Sequence, residues 1–209
     1  MKTIPMFLLV ILSAMTINAQ SAYAKGMTKA FQYWSDNEPL KACQLFERIS
    51  TVEKKEWLPA YYVATIEIIT SFGLKDESKL DAKLKKAQRF LEKAAVITPN
   101  NPEIIITEAL LNTAYIAFDG QKYGMTLSGK NISLYEKALK IAPNNPRVVL
   151  GKAEWDMGTA RFFGQSTSVY CDQIVKAITL FETEELPKFY PSKGKKRAQR
   201  ILEQCENRK

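Results

Sequence analysis

Histidine is missing altogether from the 209-residue chain. Its absence removes Ser-His and Cys-His nucleophile systems and every histidine-ligated zinc site. Cysteine is scarce: Cys43, Cys171 and Cys205 are the three, and none forms a CxxC pair. A phosphate-binding GxxxxGK[ST] loop is lacking too, because Gly124 and Gly129 are followed by Lys130 and then Asn131. Neighbouring carboxylates such as Asp36/Glu38 and Glu182/Glu184/Glu185 fall in turns or at helix ends, and nothing sets one opposite another as a glycosidase needs. These gaps point away from an enzyme, and they imply no metal and no cofactor.

Long apolar runs are equally rare. The one that stands out, Met6 to Met15, is short of the ~20 residues that span a bilayer. Lys2 precedes it, and Ala22-Tyr23-Ala24 supplies a small-x-small cleavage site, with Gln20/Ser21 as an earlier alternative. That order is a secretory signal peptide. The expected division is a removed signal over 1–24 and one domain over 25–209, periplasmic or extracellular.

The whole chain carries a net charge of +8; residues 1–24 hold one lysine and no acid, so the mature chain would carry +7. A basic surface favours acidic partners, anionic lipid headgroups or nucleic acid. Most cations are interleaved with Glu and Asp, except in the clusters Lys83/Lys85/Lys86 and Lys193/Lys195/Lys196/Arg197. Such runs are usually solvated faces.

What the chain does contain is a repeat. Ala42–Ile49, Ala87–Ala94, Asn131–Ala138 and Ala177–Glu184 align, with starts 45, 44 and 46 residues apart. Each begins with a small or polar residue and places two large apolar residues three and four positions on, which is one face of a helix. Ala30, Ala64, Ala109 and Ala153 mark the equivalent small position of a preceding helix. A small side chain there lets two helices cross closely. Thr98-Pro-Asn-Asn-Pro102 and Ala142-Pro-Asn-Asn-Pro146 punctuate the repeat. In each, the first proline stops a helix and the second opens the next.

The small-residue crossings, the large residue four after the second-helix start (Phe46, Leu91, Tyr135, Phe181) and the PNN linkers resemble the tetratricopeptide (TPR) family. More narrowly, Glu56-Trp-Leu-Pro-Ala-Tyr-Tyr62, Gln121-Lys-Tyr-Gly124 and Asn144-Asn-Pro-Arg147 resemble small secreted bacterial TPR proteins of undefined activity. The chain departs from them at Gln165-Ser-Thr167, where a glycine run is expected, and at Phe189-Tyr190-Pro191-Ser192, where a tryptophan-glycine pair is expected. The resemblance implies an all-α solenoid of about four helical hairpins with a C-terminal capping helix at about 194–206. Three hairpins carry extra residues over a standard unit of 34. They fall at about 74–86, which reads as lengthened helix, and at 119–130 and 164–176, which read as loops.

A solenoid of this kind usually holds a partner protein or peptide in its groove. The candidate contacts are Tyr61, Ile106 and Leu150 on the inner face, Glu103, Arg147 and Glu154 beside them, and Lys122 and Tyr123 in the second extra segment. Inter-repeat packing is the alternative for Tyr61, and the preferred account of Trp57 and Trp155. Electrostatic binding of anionic lipid or nucleic acid is the alternative function. Gly164 after Phe162-Phe163, and Gly120 after Phe118, read as helix C-caps. Asn131-Ile-Ser133 matches a glycan acceptor, but its helical position accounts for it. Among the cysteines, a stack would bring Cys171 near Cys205 and leave Cys43 apart; three free thiols are the alternative.

Overall fold

The computed structural model describes residues 22–206, so the expected signal segment over 1–24 lies outside the described residues except for Ala22, Tyr23 and Ala24. These three already belong to the first helix, α1 (22–35). It is followed by α2 (Pro39–Val52), α3 (Trp57–Ile69), α4 (Glu77–Ile97), α5 (Pro102–Phe118), α6 (Gly120–Ile141), α7 (Pro146–Phe162), a 3-10 turn at Ser168–Tyr170, α8 (Cys171–Thr183) and α9 (Lys195–Glu206). The described residues are all-α, with no strand.

Successive helices pair antiparallel as α3/α4, α5/α6 and α7/α8, and α3, α5 and α7 also touch one another in chain order. The reason lies in the small crossing residues. Ala30, Ala64, Ala109 and Ala153 are all buried, as are Ala42, Ala87, Asn131 and Ala177 on the second helices. Phe46, Leu91 and Tyr135 fill the space one turn on. Ala109→Leu or Ala153→Leu is therefore expected to cost about 1–3 kcal/mol by overpacking. Urea unfolding measures this, and an unchanged midpoint would contradict the close crossing.

The PNN linkers work as their chemistry suggests. Asn101 and Asn145 cap α5 and α7, accepting from the amides of Glu103 and Arg147 at 2.9 Å each, and Pro102 and Pro146 occupy the first turn. Asn100 takes the left-handed φ of 58° that turns the chain between Pro99 and the cap.

Two expectations are corrected. Segment 119–130 is helix, not loop, and Gly120 opens α6 instead of closing α5. Asp119 caps that helix by accepting from the amide of Lys122 at 2.9 Å. Interior glycines cost a helix about 1 kcal/mol each, and tertiary contacts offset that here. Asn131 is wholly buried. It accepts from Asn112 Nδ2 at 2.9 Å and donates to the Ala109 carbonyl at 3.1 Å. No glycan fits there. In the third extra segment only 164–170 departs from the α-helix, and α8 already starts at Cys171. Segment 74–86 lengthens α4, as expected.

Cys171 and Cys205 are joined by a disulfide with a Cα separation of 6.1 Å, and Cys43 is free and buried. The bridge ties α8 to α9, so the last helix is fastened as well as packed.

Candidate functional site

The groove predicted along the first helices is largely filled. Tyr61 lies in the core against Trp57 and Tyr62, with ring centroids 5.4 and 5.1 Å away. Burial, with Glu103 nearby, pushes its phenol up to about 12. Leu150 is fully buried and Ile106 partly so.

What fills the space is the chain's own linker between α8 and α9. The Tyr62 hydroxyl donates to the Phe189 carbonyl at 2.7 Å. The Phe189 ring stacks on Phe31 at 5.9 Å, Tyr190 meets Trp57 edge-on at 5.5 Å, and Lys193 sits 4.5 Å from the Trp34 ring centroid. Phe189 itself holds a φ of 68°, unusual for a bulky residue. The linker thus reaches from the last hairpin back to the first two. The Phe-Tyr-Pro-Ser stretch that departs from the secreted TPR pattern is the part that makes this closure.

Glu103 and Arg147 meet beneath the same linker. Arg147 Nε donates to Glu103 Oε1 at 2.8 Å, and Nη1 donates to Glu184 Oε2 at 2.8 Å. Asn145 Nδ2 also donates to Glu103 Oε1 at 2.6 Å. The three charged side chains are 10% (Arg147), 5% (Glu103) and 14% (Glu184) exposed, so this is an internal bridge from α5 through α7 to the linker. Glu103 Oε2 has no partner. Burial raises the Glu103 carboxyl above its usual range even though Arg147 pulls the other way.

Lys122 and Tyr123 lie apart from that group. Tyr123 donates to Glu77 Oε1 at 2.7 Å, Lys122 pairs with the same oxygen, and the two pin α6 to α4 at the surface. Glu154 belongs elsewhere again. Its carboxylate takes Arg197 Nε at 2.8 Å across the gap from α7 to α9. Burial raises its pKa, against the pull of Arg197.

That gap is the cleft that sequence reasoning missed. It has a volume of about 390 Å³, within the range of small-ligand sites, and is lined by Glu154, Met157, Arg161, Arg197, Arg200, Ile201 and Gln204. Glu154, Met157 and Arg161 recur at helical spacing along α7, and Arg197, Arg200, Ile201 and Gln204 do so along α9. Arg197 is occupied by Glu154, whereas Arg161 and Arg200 take part in none of the ion pairs among the described residues. Two unpaired guanidiniums therefore face a cavity with Met157 and Ile201 in its wall. Such an arrangement can hold a carboxylate or phosphate, with Ile201 beside it and Met157 behind. The signal was present as two stripes of i, i+3 and i+4 spacing, but Arg197 read as the end of a solvated charge run and Arg200 was not singled out.

Among the described residues, no helix is long and apolar enough to cross a membrane, and no three His, Cys, Asp or Glu side chains gather as a metal site. No family model matches the chain, and no curated protein matches it. A solved structure, the HusA haemophore from Porphyromonas gingivalis, is similar in fold. The TM-score is 0.78 at 24% identity, over 89% of this chain and 94% of that one. At that identity the likeness is one of fold, and it places this chain among helical proteins of the same overall architecture.

Proposed function

We propose that this protein is an exported, non-enzymatic binding protein, built as a variant tetratricopeptide stack, that holds an amphipathic organic acid in the α7–α9 cleft. The observation that carries this is the pair of unpaired guanidiniums, Arg161 and Arg200, facing one cavity beside Met157 and Ile201. The fold shared with a haemophore makes haem the first ligand to test, since haem is a flat apolar ring bearing two carboxylates. Each guanidinium would meet a carboxylate, and the apolar wall would take part of the ring.

Export is supported by the disulfide, because such bonds persist in oxidising compartments. Tyr23 packs edge-on to Phe189 at 6.0 Å. Cleavage at Gln20/Ser21 keeps that contact and cleavage after Ala24 discards it, so the earlier site is preferred. A partner chain lying along α3, α5 and α7 would first have to displace the α8–α9 linker, which is why the cleft is preferred over the groove.

The test is an absorbance titration of the mature protein with haem and with metal-free porphyrin. Saturable binding is expected, and Arg161→Ala with Arg200→Ala should weaken it at least about tenfold, given ~1.5–3 kcal/mol for a charge-assisted hydrogen bond. Absence of saturation at micromolar ligand, or full affinity in the double variant, would refute the assignment.

A further inference from the structure

A second cavity lies between α1 and the α8–α9 linker. Its volume is about 590 Å³. Lys25, Thr28, Lys29 and Gln32 of α1 line it, with Asp36 just beyond the helix and Lys188 from the linker.

The helix period explains the α1 side. Residues 25, 28, 29, 32 and 36 recur at i, i+3 and i+4 and share one face. The other stripe, Tyr23, Met27, Ala30 and Trp34, belongs to the core: Met27 and Ala30 are wholly buried, and Tyr23 and Trp34 pack against the same cluster. Lys188 is delivered by its neighbour. The Phe189 ring stacks on Phe31 at 5.9 Å and meets Tyr23 edge-on at 6.0 Å, which holds the linker against α1.

The charge in the cavity is one-sided. Lys25, Lys29 and Lys188 take part in none of the ion pairs among the described residues. The acid in the wall, Asp36, has both oxygens engaged by Gln32 Nε2 at 3.1 Å. Two of the ammonium groups rest on aromatic faces, Lys29 4.6 Å from the Tyr33 ring centroid and Lys188 4.9 Å from that of Phe189. Such contacts restrain a cation without neutralising it. Lysines spaced along a single helix are usually a solvated face. Here the third cation comes from a different segment, and like charges brought together this way repel until an anion joins them.

The side-chain types narrow the anion. A guanidinium fork matches a planar carboxylate, and the α7–α9 cleft is built that way. Separate ammonium groups act as point charges, which suits the several peripheral oxygens of a phosphate. The Thr28 hydroxyl adds a further donor. We infer that the cavity between α1 and the linker binds a phosphate monoester or diphosphate group through Lys25, Lys29 and Lys188. Occupancy clamps the linker onto α1, because Lys188 belongs to the one and Lys25 and Lys29 to the other. The site shares no residue with the α7–α9 cleft and does not depend on what that cleft holds.

The experiment is calorimetric titration of the ligand-free mature protein with inorganic pyrophosphate at about 150 mM salt, with amide exchange at Phe189 and Tyr190 followed in parallel. Saturable binding and slower exchange are expected. Lys29→Ala with Lys188→Ala should weaken binding about tenfold or more and leave the porphyrin titration unchanged. Both side chains are exposed, so folding should be unaffected. Lys137→Ala with Lys140→Ala removes the same charge from exposed positions on α6 and should leave binding within about twofold, since salt screens distant charges. The inference is overturned if pyrophosphate does not saturate, if the α6 pair weakens binding as much as the Lys29/Lys188 pair, or if bound pyrophosphate leaves Phe189 and Tyr190 exchange unchanged. Sedimentation with phosphatidic acid vesicles separates the two sources of the group. Sedimentation lost in the Lys29/Lys188 variant assigns it to a lipid headgroup, and pyrophosphate binding without sedimentation assigns it to a soluble ligand.

Discussion

Replacing Arg147 with alanine is expected to cost about 3–5 kcal/mol, because it strips one buried cation from two buried carboxylates. Glu103 and Glu184 would be left facing each other with Asn145 as the remaining donor to Glu103. The loss should also depend on pH. Glu103 is already raised above the ordinary glutamate range by burial, and removing Arg147 raises it further. A carboxyl whose folded pKa exceeds its unfolded value favours the folded state at low pH and loses that contribution as pH rises through the folded pKa. The deficit of Arg147→Ala should therefore be largest at neutral pH and shrink on acidification through the range just above the ordinary glutamate value. Urea unfolding of the variant and the wild type across that range checks both parts. A deficit under 1 kcal/mol, or one that grows on acidification, would show that the bridge is not the internal tie between α5, α7 and the linker. Because Glu184 begins the linker, the variant should also loosen the Phe189 and Tyr190 contacts, visible as faster amide exchange in α3.

Reducing the Cys171–Cys205 bridge should destabilise the protein by about 2–4 kcal/mol, the usual range for a bond of this kind. The bridged residues are 34 apart in sequence, and the bond fixes α9 to the start of α8. In a domain of this size the shift in Tm should be roughly 5–15 °C. Cys171→Ser with Cys205→Ser should melt like the reduced wild type and be indifferent to reductant. Cys43→Ser should keep the full response to reductant, since the Cys43 thiol on α2 is buried against α3, 3.4 Å from Glu67 Oε1. Burial, with Glu67 next, pushes that thiol up to about 12, so it is a poor partner for exchange. Since α9 supplies Arg197, Arg200, Ile201 and Gln204, the reduced protein should also bind its ligand less tightly. Equal melting with and without reductant would mean that packing alone holds α9.

The helical stack was legible because its determinants are local and periodic. Alanines at 64, 109 and 153 mark crossings on the first helices, Ala87, Asn131 and Ala177 do so on the second, and the PNN linkers carry their own start and stop chemistry. The misreadings arose where a local signal competed with tertiary contact. Gly120, Gly124 and Gly129 argue for a loop, but the Asp119 cap, the buried Asn131 and the Tyr123–Glu77 bond hold α6 in one piece. Of the expected inner face, Tyr61 lies near Glu103 and Arg147, whereas Ile106 and Leu150 pack in two other clusters. Phe189 meets Tyr62 from 127 positions away, and no spacing rule foretells that it returns to the first hairpins. The α7–α9 cleft was hidden for a related reason. Its two walls are stripes on helices that only tertiary packing and the disulfide set face to face. The disulfide itself stood as one of two alternatives, since sequence spacing does not fix a Cα separation.

The most direct test of the binding site is a map of the ligand on the fold. Backbone amide resonances of the isotopically labelled mature protein can be followed as a diamagnetic porphyrin is added. The α7–α9 assignment predicts that shifts concentrate in 154–164 and 197–204, saturate together, and vanish in the Arg161→Ala/Arg200→Ala variant. Shifts centred on Trp57, Tyr61 and the Phe189–Tyr190 linker, with 154–164 and 197–204 unmoved, would contradict it and put the ligand under the linker instead.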